Sequence, residues 1–411
     1  MDTIMKMTGL EHVKWQLLGI KAKIDTVQRQ EVSIADDPLN IILRGNPGTG
    51  KTTIARLYAQ FLTSVGILRS QEFVETTGSR LASDGVSGIK EIIQDMTYTG
   101  GGTLFIDEAY QLTDGYNFGG RQVLDFLLGE LERNIGKIVF IFAGYNKEIE
   151  RFYEHNPGLK SRIPFSIQFH DYTDIELRHI LAQLILKRFA GRMKVEGGMY
   201  GLYTRIAVER LGMGRGGEGF GNARALHTMF VNICDRQAMR LTEERKLGSP
   251  DDFLLTKEDI IGPDPSKTAP QSTSWKKLDE LIGLFEVKRS IRNLFSLIGE
   301  NYRRELAGKQ PIRTPLNRVF LGNPGTGKTT VAKLYGQILA DIGLLSNGEV
   351  VLKTPADFIG SALGESERNT KAILASTVGK VLVIDEVGAH SQLIRWLNVL
   401  NICKGVFIIR R

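Results

Sequence analysis

Gly45-Asn46-Pro47-Gly48-Thr49-Gly50-Lys51-Thr52-Thr53 recurs unchanged as Gly322-Asn323-Pro324-Gly325-Thr326-Gly327-Lys328-Thr329-Thr330. Each copy satisfies G-x-x-x-x-G-K-T, follows a short apolar run (Ile41-Ile42-Leu43, Val319-Phe320-Leu321) and precedes a helical pattern over 54–62 or 331–339. A glycine-rich turn between strand and helix aims successive backbone N–H groups at phosphate oxygens, and the helix beyond adds the positive end of its dipole. One such match is sometimes only a glycine turn before a lysine; two in the same context read as a pair of triphosphate cradles. In the first, Lys51 is placed to reach the β and γ phosphates and the Thr52 hydroxyl to ligate Mg²⁺; Lys328 and Thr329 take those places in the second.

Working outward, each loop is followed by a buried-strand pattern that ends in two acids, Thr103-Leu104-Phe105-Ile106-Asp107-Glu108 and Val381-Leu382-Val383-Ile384-Asp385-Glu386. The intervals from Lys51 to Asp107 and from Lys328 to Asp385 are 56 and 57 residues (107 − 51 and 385 − 328). Acids often simply terminate strands, but at a matched distance from a phosphate loop the aspartate is positioned for Mg²⁺. The adjacent glutamate is positioned to polarise an attacking water. The first half continues with an apolar strand over 137–143 and the polar Asn146, which points to a contact with the γ-phosphate or the water. Asn156-Pro157-Gly158-Leu159-Lys160-Ser161-Arg162 then leads into a fifth strand over 163–169, with helical patterns over 174–189, 199–211 and 223–241 beyond it. An α/β core with a small helical lid follows from this order.

The halves align elsewhere too: Gly9-Leu10 with Gly283-Leu284, and Arg56-Leu57-Tyr58 with Lys333-Leu334-Tyr335. The turn-forming, apolar-poor stretch 262–274 reads as an interdomain connection. The domains expected are a core at 1–172, a lid at 173–248, a linker at 249–275 and a second core at 276–411.

With 411 residues, 42% apolar and 24% charged, the chain has the composition of a soluble protein of two or three domains. It contains no apolar run of membrane-spanning length, and Met1-Asp2-Thr3-Ile4-Met5-Lys6 lacks a signal-peptide core, so a cytoplasmic or nuclear, non-secreted setting is expected. Cys234 and Cys403 have no CxxC spacing, which argues against a disulfide framework or zinc site. Residues 178–246 hold 13 Lys/Arg against 6 Asp/Glu, a surplus of 7 that matches the whole net charge of +7. The aromatic residues there are few and do not alternate regularly with the basic ones as in a single-strand groove, so the basic stretch reads as a solvated face with one or two phosphate-sensing arginines rather than a nucleic-acid site.

Phosphate loop, Asp-Glu strand, polar residue after the fourth strand, Asn-Pro-Gly…Ser-Arg segment and the Gly221-Asn222-Ala223-Arg224 helix start together resemble the AAA+ ATPases. The resemblance is to the branch with red-type Rubisco activase and stage V sporulation protein K, in a tandem-repeat form of fungal type that looks C-terminally truncated. It implies a P-loop NTPase fold, a parallel five-stranded sheet with a helical lid followed by a second, incomplete core. It also implies ATP and Mg²⁺ as cofactors and assembly into a ring-like homo-oligomer acting on a protein client. Carried over by position, Asn146 is the first sensor, Arg162 the arginine finger acting on a neighbour's nucleotide, with Lys160 competing for that role, and Arg224 the second sensor. Where relatives carry an aromatic client-gripping residue, this chain has Leu81 and Leu363, a departure that weakens any claim of peptide translocation and leaves only a grip by apolar contact open. In the second repeat Asp385 to Phe407 is 22 residues, against 33 from Asp107 to Phe140, and no fifth strand, finger or lid is recognisable. Its phosphate-loop strand is thus expected at an exposed edge, with weak nucleotide binding. The reading is an ATP hydrolase that remodels a protein partner, with Glu108 and Glu386 as catalytic acids. The alternative is a nucleotide-responsive binding module or scaffold with little turnover.

Overall fold

A computed structural model describes residues 1–32, 37–113, 118–155, 158–217, 219–312, 316, 318–323, 325–342, 344, 348–360, 365–377, 380–387 and 406–410. The chain divides into two compact units, Met1–Ile260 and Ile261–Arg411.

In the first unit α1 (Asp2–Met5) and α2 (Glu11–Arg29) precede β1 (Ile41–Arg44). Strands and helices then alternate through α3 (Lys51–Ser64), β2 (Phe73–Thr77), α4 (Gly78–Tyr98), β3 (Gly102–Asp107), α5 (Phe118–Arg133), β4 (Ile138–Gly144), α6 (Asn146–His155), α7 (Leu159–Arg162) and β5 (Phe165–Gln168). All five strands are parallel, in the order β2-β3-β4-β1-β5. β1 lies between β4 and β5, with Ile41 in register with both Ile141 and Phe165. A parallel strand covered on both faces has no polar side to show, which is why Ile41, Ile42 and Leu43 read as an unbroken apolar run and are all buried. The fifth strand is shorter than 163–169, because Pro164 has no N–H to donate and pairing starts at Phe165. The phosphate loop thus leaves the carboxyl end of β1 and the Asp-Glu pair that of β3, the two strands that flank β4, at the end of the sheet where open α/β sheets bind ligands.

Thr77 caps α4 by accepting a hydrogen bond from Arg80 N, and the turn it starts turns Leu81 inward. Leu81 is fully buried in the cluster that holds Ile93, Leu104, Ile106 and Phe142, so it cannot grip a client; Ser79 and Arg80 are the exposed side chains of this turn. Leu363 lies outside the described residues, as do Asn156 and Pro157.

The lid comprises α8 (Asp174–Arg188), α9 (Leu202–Gly212) and α10 (Asn222–Glu244). A capping box of Thr173 and Glu176 starts α8. β6 (Lys194–Val195) pairs with β7 (Leu254–Leu255), and α11 (Lys257–Ile261) follows. Stretch 249–261 therefore differs from the linker expected there. Arg240 on α10 binds the buried Asp259 carboxylate through Nε at 3.1 Å and Nη2 at 2.8 Å, and Arg236 donates to the carbonyls of Asp259 and Ile260. A buried charge has to be paired, and this pairing fastens the segment to the lid.

The second unit begins with α12 (Pro265–Thr268), a 3-10 turn at Ala269–Gln271 and α13 (Thr273–Glu280). Then come α14 (Phe285–Leu306), β8 (Arg318–Leu321), α15 (Lys328–Asp341), β9 (Val350–Lys353), α16 (Pro355–Phe358), α17 (Glu365–Ser376), β10 (Val381–Val387) and β11 (Val406–Arg410). Its strands are parallel in the order β8-β11-β10-β9. Among the described residues β8, which feeds the second phosphate loop, is an edge strand. Phe320 packs onto the core of Trp275, Phe295, Tyr335 and Val381, while Val319 and Leu321 are 54% and 70% exposed.

Candidate functional site

The first loop is closed by bonds within itself. Thr49 Oγ1 donates to the Asn46 carbonyl at 2.8 Å, and Lys51 Nζ donates to the carbonyls of Gly45 and Asn46 at 2.7 and 2.9 Å. Gly48 (φ +69°) and Gly50 (φ +96°) supply the left-handed turns that aim the amides inward. Burial holds the Lys51 ammonium down at about 8; the carboxylates of Asp107 and Glu108 oppose that shift and the Arg224 guanidinium adds to it. Asp107 and Glu108 stand at the carboxyl end of β3, on the far side of β4 from the loop, and Ala223 N, next to Arg224, donates to Gly48 O at 3.2 Å, so the charges that act on Lys51 come from the sheet and from the lid.

Asp107 Oδ1 accepts the Glu108 N–H at 2.9 Å, and Glu108 takes a left-handed backbone, φ +49°. A non-glycine residue held there is strained, a state that persists only when its surroundings enforce it. One enforcer is Gln111, whose Nε2 donates to Glu108 Oε2 at 2.8 Å. Sequence reading missed Gln111, although its spacing of three from Glu108 on a helical turn was a usable signal. It also missed Tyr145 and Tyr110, whose rings lie 5.8 Å apart. Burial first, then the charge of Glu108, pushes both phenols above their ordinary value, and Arg224 opposes the shift at Tyr145. Tyr145 is half-buried toward these charges, whereas its neighbour Asn146 is the exposed first residue of α6.

Arg224 sits in the first turn of α10. Arg162, at the end of α7, is paired within its own chain: Nη1 donates to Gly158 O at 3.1 Å, and Nη2 lies 2.8 Å from Glu132 Oε1. Lys160 instead lies over the Tyr153 ring, 5.7 Å from its centre.

In the second loop Thr326 Oγ1 donates to Asn323 O at 2.8 Å, and Lys328 Nζ donates to Gly322 O and Asn323 O at 2.9 and 2.8 Å. Thr329 Oγ1 donates to Asp385 Oδ2 at 3.0 Å. That hydroxyl and carboxylate, side by side, are the hard oxygen donors Mg²⁺ takes alongside phosphate and water, and Thr52 and Asp107 are their counterparts in the first unit. Pro324 and the Glu386 side chain lie outside the described residues. No helix of the described residues is long and apolar enough to cross a membrane.

A parallel sheet in this order, with phosphate loop and Asp-Glu pair at the carboxyl ends of the two strands that flank β4, defines a P-loop nucleoside triphosphatase. The profile of the ATPase family associated with various cellular activities (AAA) matches residues 41–170 and 318–394, and the chain belongs to that family, whose members are ATP hydrolases. Among curated relatives, stage V sporulation protein K of Bacillus subtilis is 34% identical over 188 residues, 44% of this chain and 58% of that protein. The chloroplastic ribulose bisphosphate carboxylase/oxygenase activase of Cyanidioschyzon merolae is 31% identical over 272 residues, 63% of this chain and 89% of that protein. A closed-state reconstruction of Hsp104 aligns with a TM-score of 0.46 at 15% identity, covering 96% of this chain and 70% of that one.

Proposed function

We propose that the chain is an ATP-driven, self-assembling machine that remodels a protein partner, with the first unit as its working site. The observation that carries this is a phosphate loop closed by Lys51 on its own carbonyls, with the turn of Arg224 bonded to it through Ala223 N and Gly48 O and with Asp107 and Glu108 at the same end of the sheet. Thr52 and Asp107 would hold Mg²⁺, which when bound would neutralise charge at the phosphate oxygens. The amides of residues 45–53 cradle the phosphates, Lys51 leaves its two carbonyls for the β and γ oxygens, and Arg224 meets the γ end from the lid. Glu108, one oxygen occupied by Gln111, orients and polarises the attacking water with the other. Asn146, one residue beyond Tyr145, serves as the polar sensor of the γ-phosphate.

Arg162 is the finger offered to a neighbouring copy. Its partner Glu132 is 59% exposed, and such pairs contribute about 0–1 kcal/mol, so a neighbour's triphosphate displaces Glu132 readily. The second unit, with Lys328, Thr329, Asp385 and Glu386 on an open loop, binds nucleotide weakly. The client is not named by the fold.

The test is steady-state phosphate release against protein concentration. Turnover should rise steeply as copies assemble; Glu108→Gln should retain bound ATP without releasing phosphate, and Arg162→Ala should bind ATP and lose turnover. Equal loss of ATP binding in both variants contradicts the assignment. A flat zero with binding intact favours the nucleotide-responsive scaffold.

A further inference from the structure

Asp171, which follows β5, joins three parts of the first unit that are far apart in sequence. Its carboxylate accepts Asn46 Nδ2 of the phosphate loop (2.9 and 3.1 Å), Asn222 Nδ2 of the first residue of α10 (2.7 Å) and the Gly216 N–H of the loop between α9 and α10 (3.0 Å). Asn222 is fully buried with φ +45°, and its amide is used at both ends. Oδ1 accepts Tyr172 N at 2.9 Å, and Nδ2 also reaches Pro47 O (3.3 Å) and Phe220 O (3.0 Å). Next door, Tyr172 OH donates to Thr49 O at 3.1 Å, and Ala223 N donates to Gly48 O at 3.2 Å. The two backbones approach so closely that a Cβ on Gly48 would lie 2.2 Å from Gly221 O.

These bonds weld the phosphate loop to the one helical turn that carries Arg224, two residues beyond Asn222. A network that served only to hold the lid on could have fastened any part of it. This one fastens the turn whose displacement would move a guanidinium relative to Lys51. We propose that Asp171 is a positioning residue for hydrolysis: through Asn46 and Asn222 it fixes the spacing of Arg224 from the phosphate loop, so that the contribution of Arg224 to turnover depends on Asp171. The proposal rests on the reading of the first unit as an ATPase.

Asp171→Ala should fold, because Asn46 Nδ2 retains Gly217 O, Asn222 Nδ2 retains two carbonyls and Gly216 is exposed. The experiment is a kinetic cycle on the full chain with Asp171→Ala, Arg224→Ala and the double variant, alongside hydrogen exchange without nucleotide. Asp171→Ala should lower kcat about tenfold and change KM for ATP less than about threefold, and the double variant should fall within about twofold of Arg224→Ala alone. Exchange should rise together in residues 45–50 and 219–224 while the sheet stays protected. Effects on kcat that multiply, or exchange that rises on one side only, overturn the proposal. If the wild-type chain shows no ATP binding by calorimetry, the ATPase reading fails and takes the hydrolytic role with it. Joint exchange at 45–50 and 219–224 in that case separates this failure from a failure of the coupling.

Discussion

The two copies of the nonapeptide make the same internal bonds and live in different surroundings. In both, the lysine donates to the first two carbonyls of the loop and the first threonine to the asparagine carbonyl, with distances agreeing within 0.2 Å: 2.7 and 2.9 Å against 2.9 and 2.8 Å for lysine, 2.8 Å in each for threonine. Yet Gly45 and Thr49 are buried, whereas Gly322, Asn323, Gly325, Thr326 and Gly327 are exposed. The lesson is that nine residues determine the shape of a phosphate loop and almost nothing of its environment. What differs is supplied from far along the chain: β5 beside β1, and the lid turn above the loop, in the first unit alone among the described residues.

The sharpest way to break this comparison is to remove each lysine in turn. Lys51→Ala should lower ATP turnover by about 10²–10³-fold, the range for losing one preorganised charge at a developing anion. Lys328→Ala should leave turnover within about twofold, because turnover is assigned to the first site alone. Equal losses in a phosphate-release assay would show that burial does not decide which site works.

A second pair tests the strands that feed the loops. Ile42 and Val319 occupy the same position before their glycines, the first fully buried and the second 54% exposed. Ile42→Ala should cost about 2–5 kcal/mol in urea denaturation, including the cavity it leaves. Val319→Ala should cost under about 1 kcal/mol, since little of its surface leaves water on folding. A large effect at Val319 would mean that another surface covers β8.

What the sequence disclosed divides along the same line as the two loops. Gly9-Leu10 and Gly283-Leu284 were aligned by identity alone and all four take left-handed backbones, because that conformation is set within a residue or two. The parallel sheet was legible from unbroken apolar runs, and the acids at the end of β3 from their spacing. Leu81 was considered for a client grip from its position in the motif alone. In this chain Thr77 caps a helix at that point, and the helical period, not the motif, decides which way residue 81 faces. Asp171 was passed over, and Asn222 noted only as part of the motif that opens α10, for another reason: the partners Asn46 and Asp171 are 125 residues apart, so no local pattern announces their bond. A fully buried asparagine with positive φ directly after Gly221 is visible only once the backbone is known. Domain limits suffered likewise, since residues 249–261 look loose in composition and are held by Arg236 and Arg240 of α10.

The smallest effect concerns the state of Lys51 itself. Burial lowers its pKa from 10.5 to about 8 while it rests on its own loop carbonyls. A triphosphate laid beside it favours the ammonium form, so nucleotide binding takes up a proton once the pH passes 8. Below that value Lys51 is already charged and affinity should be flat. From pH 7 to pH 9 the charged fraction of the free site falls roughly tenfold, and ATP affinity should fall by about the same factor. Stability of the nucleotide-free first unit moves the other way. With a folded-state pKa below the unfolded one, the unfolded chain binds more protons between pH 8 and pH 10.5, so stability should rise across that window. Calorimetry at pH 8.5 in two buffers of different ionisation enthalpy reads the proton directly, and doing so in Lys328→Ala assigns it to the first loop. No proton uptake there would mean that Lys51 is already charged in the free site at pH 8.5 and that its burial does not govern nucleotide affinity.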